Sequence, residues 1–363
     1  MSSEKNIWWD LPLENKPDFE MAMKRIYAWY NFEIIDRAPI RFSAHNSFIR
    51  ESLSHRSWPS IKDKWYDVEY QVESFIDSIA GKNFLAETFP VYFPNLGPNV
   101  FAAFYGATLD FGETTSWAKP CIKDWSEINK LRLDTQNEYF IKLEELTKYA
   151  LDRCEGKFMV GYTDFHPGMD CVAAWRDTQS LCMDLYDYPD EVKQAIHLSI
   201  DEFQMVYDHF DAMLKARKQL SVTWMEIPFF GKMHIPSCDF SAMISTDQFI
   251  EYCLPILQKE IKPMTNNIWH LDGKGCARHL DILLDVPEIH AIQWVQGDGN
   301  RPIMQWVPLI KKIQAAGKSV VVDLQVSELE DFISAVDPKG LLLCLPVDGE
   351  YEQREVIKRV EKW

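Results

Sequence analysis

Apolar and polar positions follow two different periods along this chain, and the changes of period predict strands and helices. From residue 157 onward, short apolar runs alternate with segments whose apolar residues recur at helical spacing. These runs predict strands at 157–164, 220–227, 267–273, 291–295, 319–324 and 341–345, each followed by a helical pattern. Two earlier extended segments, 38–42 and 89–93, raise the number of predicted strands to eight.

Eight strands that alternate with helices are typical of a (β/α)8 TIM barrel. Several of the runs are continuously apolar, as expected for parallel strands buried on both faces. An open doubly wound sheet is the competing fold, but no glycine-rich phosphate-binding turn follows an early strand. A helical pattern over 18–30 precedes the first strand. We therefore predict one barrel domain over 1–363, with an N-terminal helical extension over 1–36.

Composition and charge exclude several classes of partner. The chain carries 38 Lys and Arg against 55 Asp and Glu, a net charge of −17. Such acidity disfavours nucleic acids and anionic membranes, which are bound through clustered cations. The first residues show neither the basic nor the apolar region of a secretory signal. Eight cysteines without CxxC pairs indicate reduced thiols, and we expect a cytoplasmic protein.

Polar side chains follow nearly every predicted strand. In a barrel, the C-terminal ends of the strands and the loops beyond them carry the active site. In chain order these residues are His45, Asn46, Tyr92, Asn95, Asp164, His166, Trp224, Glu226, His270, Asp272, Gln293, Gln296, Asp323, Gln325, Cys344 and Asp348. Single loop residues of this kind are common, but their recurrence on successive units predicts an active site at this end of the barrel.

The segment WHLDGKGCARHL, residues 269–280, is the most informative. His270 and Asp272 are two positions apart on a strand, so both project to one side. An imidazole and a carboxylate on one side suit metal ligation or proton transfer, while a buried hydrogen-bonded pair is the structural alternative. His166 is a candidate proton donor, because its unperturbed pKa lies near 6.5, or a solvated loop residue.

Several of these segments resemble the uroporphyrinogen decarboxylase superfamily. The similarity lies in 270–281, in IQWVQGDG at 292–299, in Thr163-Asp164 through PDEV at 189–192, and in TDQF at 246–249 with Leu254-Pro255. It is diffuse and runs from about residue 36 to the end. Members of this superfamily are (β/α)8 barrels and include porphyrinogen decarboxylases and zinc-dependent corrinoid methyltransferases.

The two branches differ at named positions. The decarboxylases share an early Arg-Gln-Ala-Gly-Arg segment that holds carboxylates; here Arg41 and Arg50 remain, but the motif is absent. The methyltransferases use a His-X-Cys-Gly strand motif and a later Cys as zinc ligands. His270-Leu-Asp272-Gly matches that motif with Asp in place of Cys, and Cys344 stands near the later position. The resemblance therefore implies a zinc site of His270, Asp272 and Cys344, with Glu226 as a candidate further ligand.

Carboxylate oxygen is an acceptable zinc ligand. With fewer thiolates the metal is more electrophilic, which suits the polarisation of an ether or alcohol oxygen. The expected activity is methyl transfer from a small substrate, such as an aromatic methoxylated compound, to a corrinoid protein. The cobamide would be supplied by that partner, and a homodimer is compatible with this interpretation. The alternative is a metal-free lyase that decarboxylates a small carboxylated substrate.

Roles follow for the remaining candidates. Glu226, His166 and Asp164 are expected to be catalytic. The substrate is expected in an aromatic-lined pocket at the C-terminal face of the barrel, because a small aromatic ether needs a narrow cavity walled by rings and a few polar groups. The predicted substrate-binding residues are Tyr92, Asn95, Trp224, Trp294, Gln296 and Asp323, with Phe165 and Trp175 as further candidates for the wall.

Overall fold

A computed structural model describes residues 11–42, 50–297 and 302–363 and shows a mixed α/β fold. Six parallel strands form one curled sheet in the order β1-β10-β9-β8-β7-β6, while β2 pairs with β5 and β3 with β4. The strands are β1 Ile40–Phe42, β2 Val91–Tyr92, β3 Thr108–Phe111, β4 Ser116–Lys119, β5 Met159–Val160, β6 Met233–His234, β7 Asn266–Asp272, β8 Ala291–Val295, β9 Ser319–Asp323 and β10 Leu341–Leu345.

Helices fill most of the chain between these strands. They are α1 Phe19–Tyr30, α2 Glu51–Ser54, α3 Ile61–Tyr66, α4 Val68–Ile79, α5 Val100–Ala103, α6 Glu138–Arg153, α7 Met169–Arg176, α8 Thr178–Asp187, α9 Pro189–Asp201, α10 Phe203–Ala216, α11 Thr246–Gln248, α12 Leu254–Ile261, α13 Gly273–Cys276, α14 Leu280–Leu284, α15 Val307–Ala315, α16 Leu329–Ala335 and α17 Glu350–Val360. Within the described ranges, none of them combines the length and the apolar character that a membrane-crossing helix requires.

The prediction of a continuous strand at 220–227 is wrong. Residues Thr223–Glu226 make a turn that the Glu226 N–H closes on the Thr223 carbonyl at 2.8 Å. The chain therefore reverses, and Ser221 forms an antiparallel bridge with Phe229. Pro228 lacks the N–H that a continuing strand would need. The place beside β7 is taken by β6, which sequence patterning did not indicate.

Alternate residues of the strands belong to two separate cores, as the period of two in a strand requires. On β10, Leu341, Leu343 and Leu345 belong to the outer core, between the sheet and the helices. Leu342 and Cys344 belong to the inner core, on the concave side of the sheet. The same alternation continues through β9, β8, β7 and β1. Position along a strand therefore decides which side a side chain occupies.

Helix α1 packs against the inner core. Its buried residues include Met23, Ile26 and Trp29, which share that core with the strands. The Trp29 indole donates a hydrogen bond to the Gly340 carbonyl, at the turn that leads into β10. The apolar periodicity of 18–30 thus marks a helix that covers the N-terminal ends of the strands.

Candidate metal centre and flanking cavities

The inner side of the sheet gathers polar residues at the C-terminal ends of its strands. Cys344 and Val321 belong to the inner core, and residues of the same parity on each strand share that side. Across neighbouring strands these polar residues are Arg41, His270, Asp272, Gln293, Asp323 and Cys344. The spacing of His270 and Asp272 predicted their shared side, and the structure places Asp323 and Cys344 on that side as well.

His270 is held in a defined orientation by the next strand. It pairs with Gln293 across β7 and β8, and its Nδ1 lies 2.6 Å from the Gln293 Oε1. Because a carbonyl oxygen only accepts, Nδ1 carries the hydrogen and Nε2 keeps its lone pair. The ring of Trp224 packs edge-on against the imidazole, with 5.3 Å between centroids. Metal-binding histidines are commonly oriented in this way, by a hydrogen bond from the ring nitrogen that does not bind the metal.

Two carboxylates lie near the His270 imidazole, and Oδ1 of Asp239 is 4.0 Å from its Nε2. Asp239, His270 and Asp272 each offer a donor atom, and these atoms lie within 4.8 Å of one another. We call these three residues the donor triad. Burial and the charge of Asp239 raise the pKa of Asp272. A zinc ion, bonded at about 2.0–2.3 Å, would draw such donors to about 3–4 Å apart, so this set fits a divalent cation after a small closure.

Asp239 was not predicted from the sequence. It lies in the loop after β6, the strand that patterning missed, and its backbone N–H donates to the Asp170 carboxylate at 2.9 Å. The neighbouring Phe240 N–H donates to the same carboxylate, so the loop is fixed against α7. The Asp239 side chain is 62% exposed, which leaves the triad open to a ligand from solvent.

Cys344 belongs to a different group of side chains. It pairs with Asp323 on one side and with Arg41 on the other, in one row across β9, β10 and β1. Burial raises the pKa of its thiol to about 12, although Arg41 acts in the opposite direction. β10 lies three strands from β7, at about 4.8 Å per strand. The structure does not bring Cys344 into the donor triad, and its role as a ligand stays a prediction.

His166 and Asp164 form a close pair, with 2.6 Å between Nε2 and Oδ2. Burial alone would lower the pKa of His166, but the charge and hydrogen bond of Asp164 outweigh it and raise the pKa to about 9. His166, Asp170 and Asp239 line one cavity of about 480 Å³. Burial and the Asp239 charge raise the pKa of Asp170 to about 6. Of the three predicted catalytic residues, His166 therefore shares a cavity with Asp239 of the donor triad, and Asp164 contacts His166.

A second cavity, of about 510 Å³, is lined in part by Glu226 of the turn 223–226. Tyr92 and Asn95, both predicted to bind substrate, line it together with Glu226, which was predicted to be catalytic. The backbone of Glu226 has a φ of +57°, a left-handed conformation that non-glycine residues rarely adopt and that often marks functional positions. The Arg41 side chain donates a hydrogen bond to the backbone carbonyl of the preceding residue, Met225. No sequence signal marked this strain.

The remaining predicted binding residues are dispersed. Trp294 projects into the outer core, is fully buried and packs on Trp306 with ring centroids 4.6 Å apart. Its role in substrate binding stays a prediction. Phe165 and Trp175 also belong to the outer core. The Gln296 amide donates to the Asp323 carbonyl at 2.9 Å. His45 and Asn46, predicted beyond the first strand, lie outside the described residues.

Comparisons with known proteins show the fold. No protein-family model matches the sequence, and no curated protein matches it. Among solved structures, a methyltransferase from Methanosarcina mazei superposes with a TM-score of 0.61 at 11% identity, over 94% of this chain and 98% of that one. A B12-independent methionine synthase from Shewanella sp. W3-18-1 gives a TM-score of 0.36 at 10% identity, over 74% and 79%. Only the first is close enough to indicate a shared fold.

Proposed function

We propose that this chain is a methyltransferase that moves a methyl group from a small methylated or aromatic methoxylated substrate to a corrinoid protein. The observation that carries the proposal is the donor triad, whose donor atoms lie within 4.8 Å of one another, with the Nε2 of His270 4.0 Å from the Asp239 carboxylate. The superposition on a methyltransferase supports the same reaction class. The corrinoid would come with the partner, and the open side of the triad at Asp239 leaves room for approach.

In this proposal Asp239, His270 and Asp272 hold a zinc ion, and Gln293 keeps the imidazole in place. Bound zinc supplies Lewis-acid polarisation of the substrate oxygen that loses its methyl group. His166 has a pKa of about 9 and is therefore protonated at neutral pH. It is the proton source for the leaving oxygen, with Asp164 holding its Nε2 at 2.6 Å. Glu226 faces the substrate from the second cavity.

We further propose that the curled sheet closes into a (β/α)8 barrel and that the chain is a single domain. Two contacts support closure on the side where the sheet is irregular. The Glu87 N–H donates to the Ile40 carbonyl of β1 at 2.9 Å, just before β2. The Tyr162 N–H, just after β5, donates to the Val222 carbonyl at 3.0 Å. These contacts link β1, β2, β5 and the segment before the turn.

The metal-free lyase is less well supported by the charges at this end of the sheet. A carboxylated substrate needs cations that are not already neutralised. Arg41 projects to the inner side of the sheet, but it already interacts with the acidic groups of Glu226, Asp323 and Cys344. Arg176, at the end of α7, is paired with Asp184 at 2.6 Å. Neither arginine is placed to hold a substrate carboxylate.

The test is metal content combined with activity. We expect the purified protein to retain zinc in a ratio near one per chain, and His270→Ala to lose it. His55→Ala is the matched control, since the His55 side chain is 77% exposed and lies far from His270 in the sequence. Methyl transfer is followed as loss of cob(I)alamin absorption with 2-methoxyphenol or methanol as donor. A protein that retains no metal and releases carbon dioxide from a carboxylated compound would establish the lyase instead.

A further inference from the structure

Two buried thiols meet beside the donor triad. All eight cysteines lie in the described ranges as free thiols, and the Sγ atoms of Cys238 and Cys253 are 3.7 Å apart. The two residues are 7% and 5% exposed. They are 15 positions apart in the sequence, so no CxxC spacing marks them. Cys238 directly precedes Asp239, which makes this pair the thiol contact next to a proposed metal ligand.

Cys253 is the more firmly held of the two residues. It ends a π-helical turn, Phe249–Cys253, that continues into α12. Such turns are rare and occur frequently at functional sites. The Phe249 ring of the same turn is fully buried and stacks on the His279 ring, with 4.4 Å between centroids. Cys238 instead lies in the loop after β6, so a movement that joins the two sulfur atoms is expected mainly in that loop.

Movement of Cys238 would reach both carboxylates of the donor triad. A disulfide bond of about 2.05 Å requires the two sulfur atoms to approach by roughly 1.7 Å. Asp239 is the next residue, and metal–ligand distances tolerate only about 0.2 Å. Ala242 follows in the same segment and packs closely on Gly275, where an added Cβ would lie 2.8 Å from the Ala242 Cβ. This packing couples the loop to α13, which begins directly after Asp272.

We propose that Cys238 and Cys253 are a peroxide-sensitive thiol pair, and that their disulfide displaces Asp239 and lowers the affinity of the donor triad for its metal. The effect on the metal rests on the proposed function, whereas formation of the disulfide does not. Hydrogen peroxide is the oxidant and is reduced to two molecules of water. The first thiol becomes a sulfenic acid with release of one water, and the second thiol displaces the other water as the S–S bond forms.

The surroundings of the pair favour a small oxidant. Both cysteines are almost fully buried, so a bulky disulfide reagent reaches them only if the fold opens, whereas hydrogen peroxide is little larger than water. The contact with the Cys253 thiol and burial raise the pKa of the Cys238 thiol, and a thiol is less reactive than a thiolate. The pair is therefore expected to stay reduced in air and to oxidise with peroxide.

Mass spectrometry identifies the disulfide directly. The full-length protein is treated with hydrogen peroxide, alkylated, and digested with trypsin without reduction. Cleavage after Lys232 and Lys259 leaves both cysteines in one peptide, residues 233–259. The disulfide should lower the mass of this peptide by two hydrogen atoms and protect both cysteines from alkylation. A peptide that is still alkylated at both cysteines, or that carries only sulfinic and sulfonic acids, would overturn the inference.

The consequence for the metal is measured as zinc affinity, by competition with a chelator. Peroxide should lower the affinity about tenfold or more, and a phosphine reductant should restore it. Cys253→Ser and Cys253→Ala cannot form the disulfide, so peroxide should leave their affinity at the value of the reduced wild type. Cys182→Ser is the matched control on α8 and should lose affinity as the wild type does.

The outcomes separate this inference from the proposed function. Unchanged zinc affinity in a chain that carries the disulfide would overturn the inference, as would an equal loss of affinity in the Cys253 variants. A reduced wild-type chain that holds no zinc would contradict the proposed function, and the peptide mass would then decide by itself whether the thiol pair exists.

Discussion

Two parts of the strand wall place chemistry in different ways. In the regular wall, formed by β7 to β10 and β1, residues two apart share a side. His270 and Asp272 of the donor triad share a side through that alternation, and Gln293 on the neighbouring strand contacts His270. In the irregular wall, formed by β2, β5 and residues 220–229, the chain turns, and Glu226 is held at φ +57° beside a cavity. Regular strands thus orient the side chains of the donor triad, whereas the interruption borders a cavity.

The largest expected effect is on zinc binding, and it tests whether zinc is held by the donor triad or by the row of side chains that contains Cys344. Asp239→Asn should weaken zinc binding by more than the roughly 10–100-fold that loss of a supporting hydrogen bond costs. Because the Asp239 side chain is 62% exposed, the substitution should leave the fold intact, and circular dichroism checks this. Cys344→Ser should retain the metal. Zinc binding is measured by competition with a chelator. If only the Cys344 variant loses zinc, the ligand set predicted from the sequence, which includes Cys344, would be correct instead.

A smaller effect is expected at Gln293, which acts on the metal through His270. Gln293→Leu removes the acceptor at Nδ1, so the imidazole loses its fixed tautomer. Zinc affinity should fall about 10–100-fold, and methyl transfer should recover when zinc is added in excess. Gln314→Leu, on the outer helix α15, should leave the affinity unchanged. A Gln293 variant with wild-type affinity would show that the regular wall does not orient the ligand.

Backbone strain in the irregular wall can be measured with two variants at one position. Glu226→Gly and Glu226→Ala both remove the carboxylate, but only glycine adopts a φ of +57° without a steric cost. The glycine variant should be more stable than the alanine variant by about 1 kcal/mol, and both should lose methyl transfer. Urea denaturation gives the comparison. Equal stabilities would mean that the turn relaxes and stores no strain.

The smallest effect concerns α4, which carries Ser74 and Phe75 of the cavity wall. Burial alone would raise the pKa of Asp77, but hydrogen bonds from Arg50 outweigh it and hold the pKa below its usual range. Because the folded pKa is lowered, this contribution is present above the unfolded value of about 3.9 and is lost as pH falls through the folded value.

Asp77→Asn should therefore cost at most about 1 kcal/mol at pH 7, since the Arg50 side chain is 41% exposed and solvent screens the pair. The difference from wild type should stay constant between pH 7 and 5 and shrink below about pH 4. Asp331→Asn, at an exposed position, serves as the control in the same denaturation series. A difference that grows in acid would contradict the assigned role of Arg50.

The sequence located most of the regular wall and part of the site. Strands at 291–295 and 341–345 have the predicted bounds, because continuous apolar runs between turn residues leave few alternatives. The same-side placement of His270 and Asp272 followed from their spacing. The turn at 223–226 was not predictable, since Val222, Trp224 and Ile227 have strand propensity and only the hydrogen bond from Glu226 to Thr223 reveals the reversal.

What the sequence determined by itself is local: the alternation of strands and helices, the charge of the chain, and which strand residues share a side. What only the tertiary structure decided is which strands are neighbours and which loops meet. Asp239 joins His270 because β6 pairs with β7, and Cys344 joins Arg41 because β10 pairs with β1. Such contacts depend on packing between segments far apart in the chain, which no local pattern records.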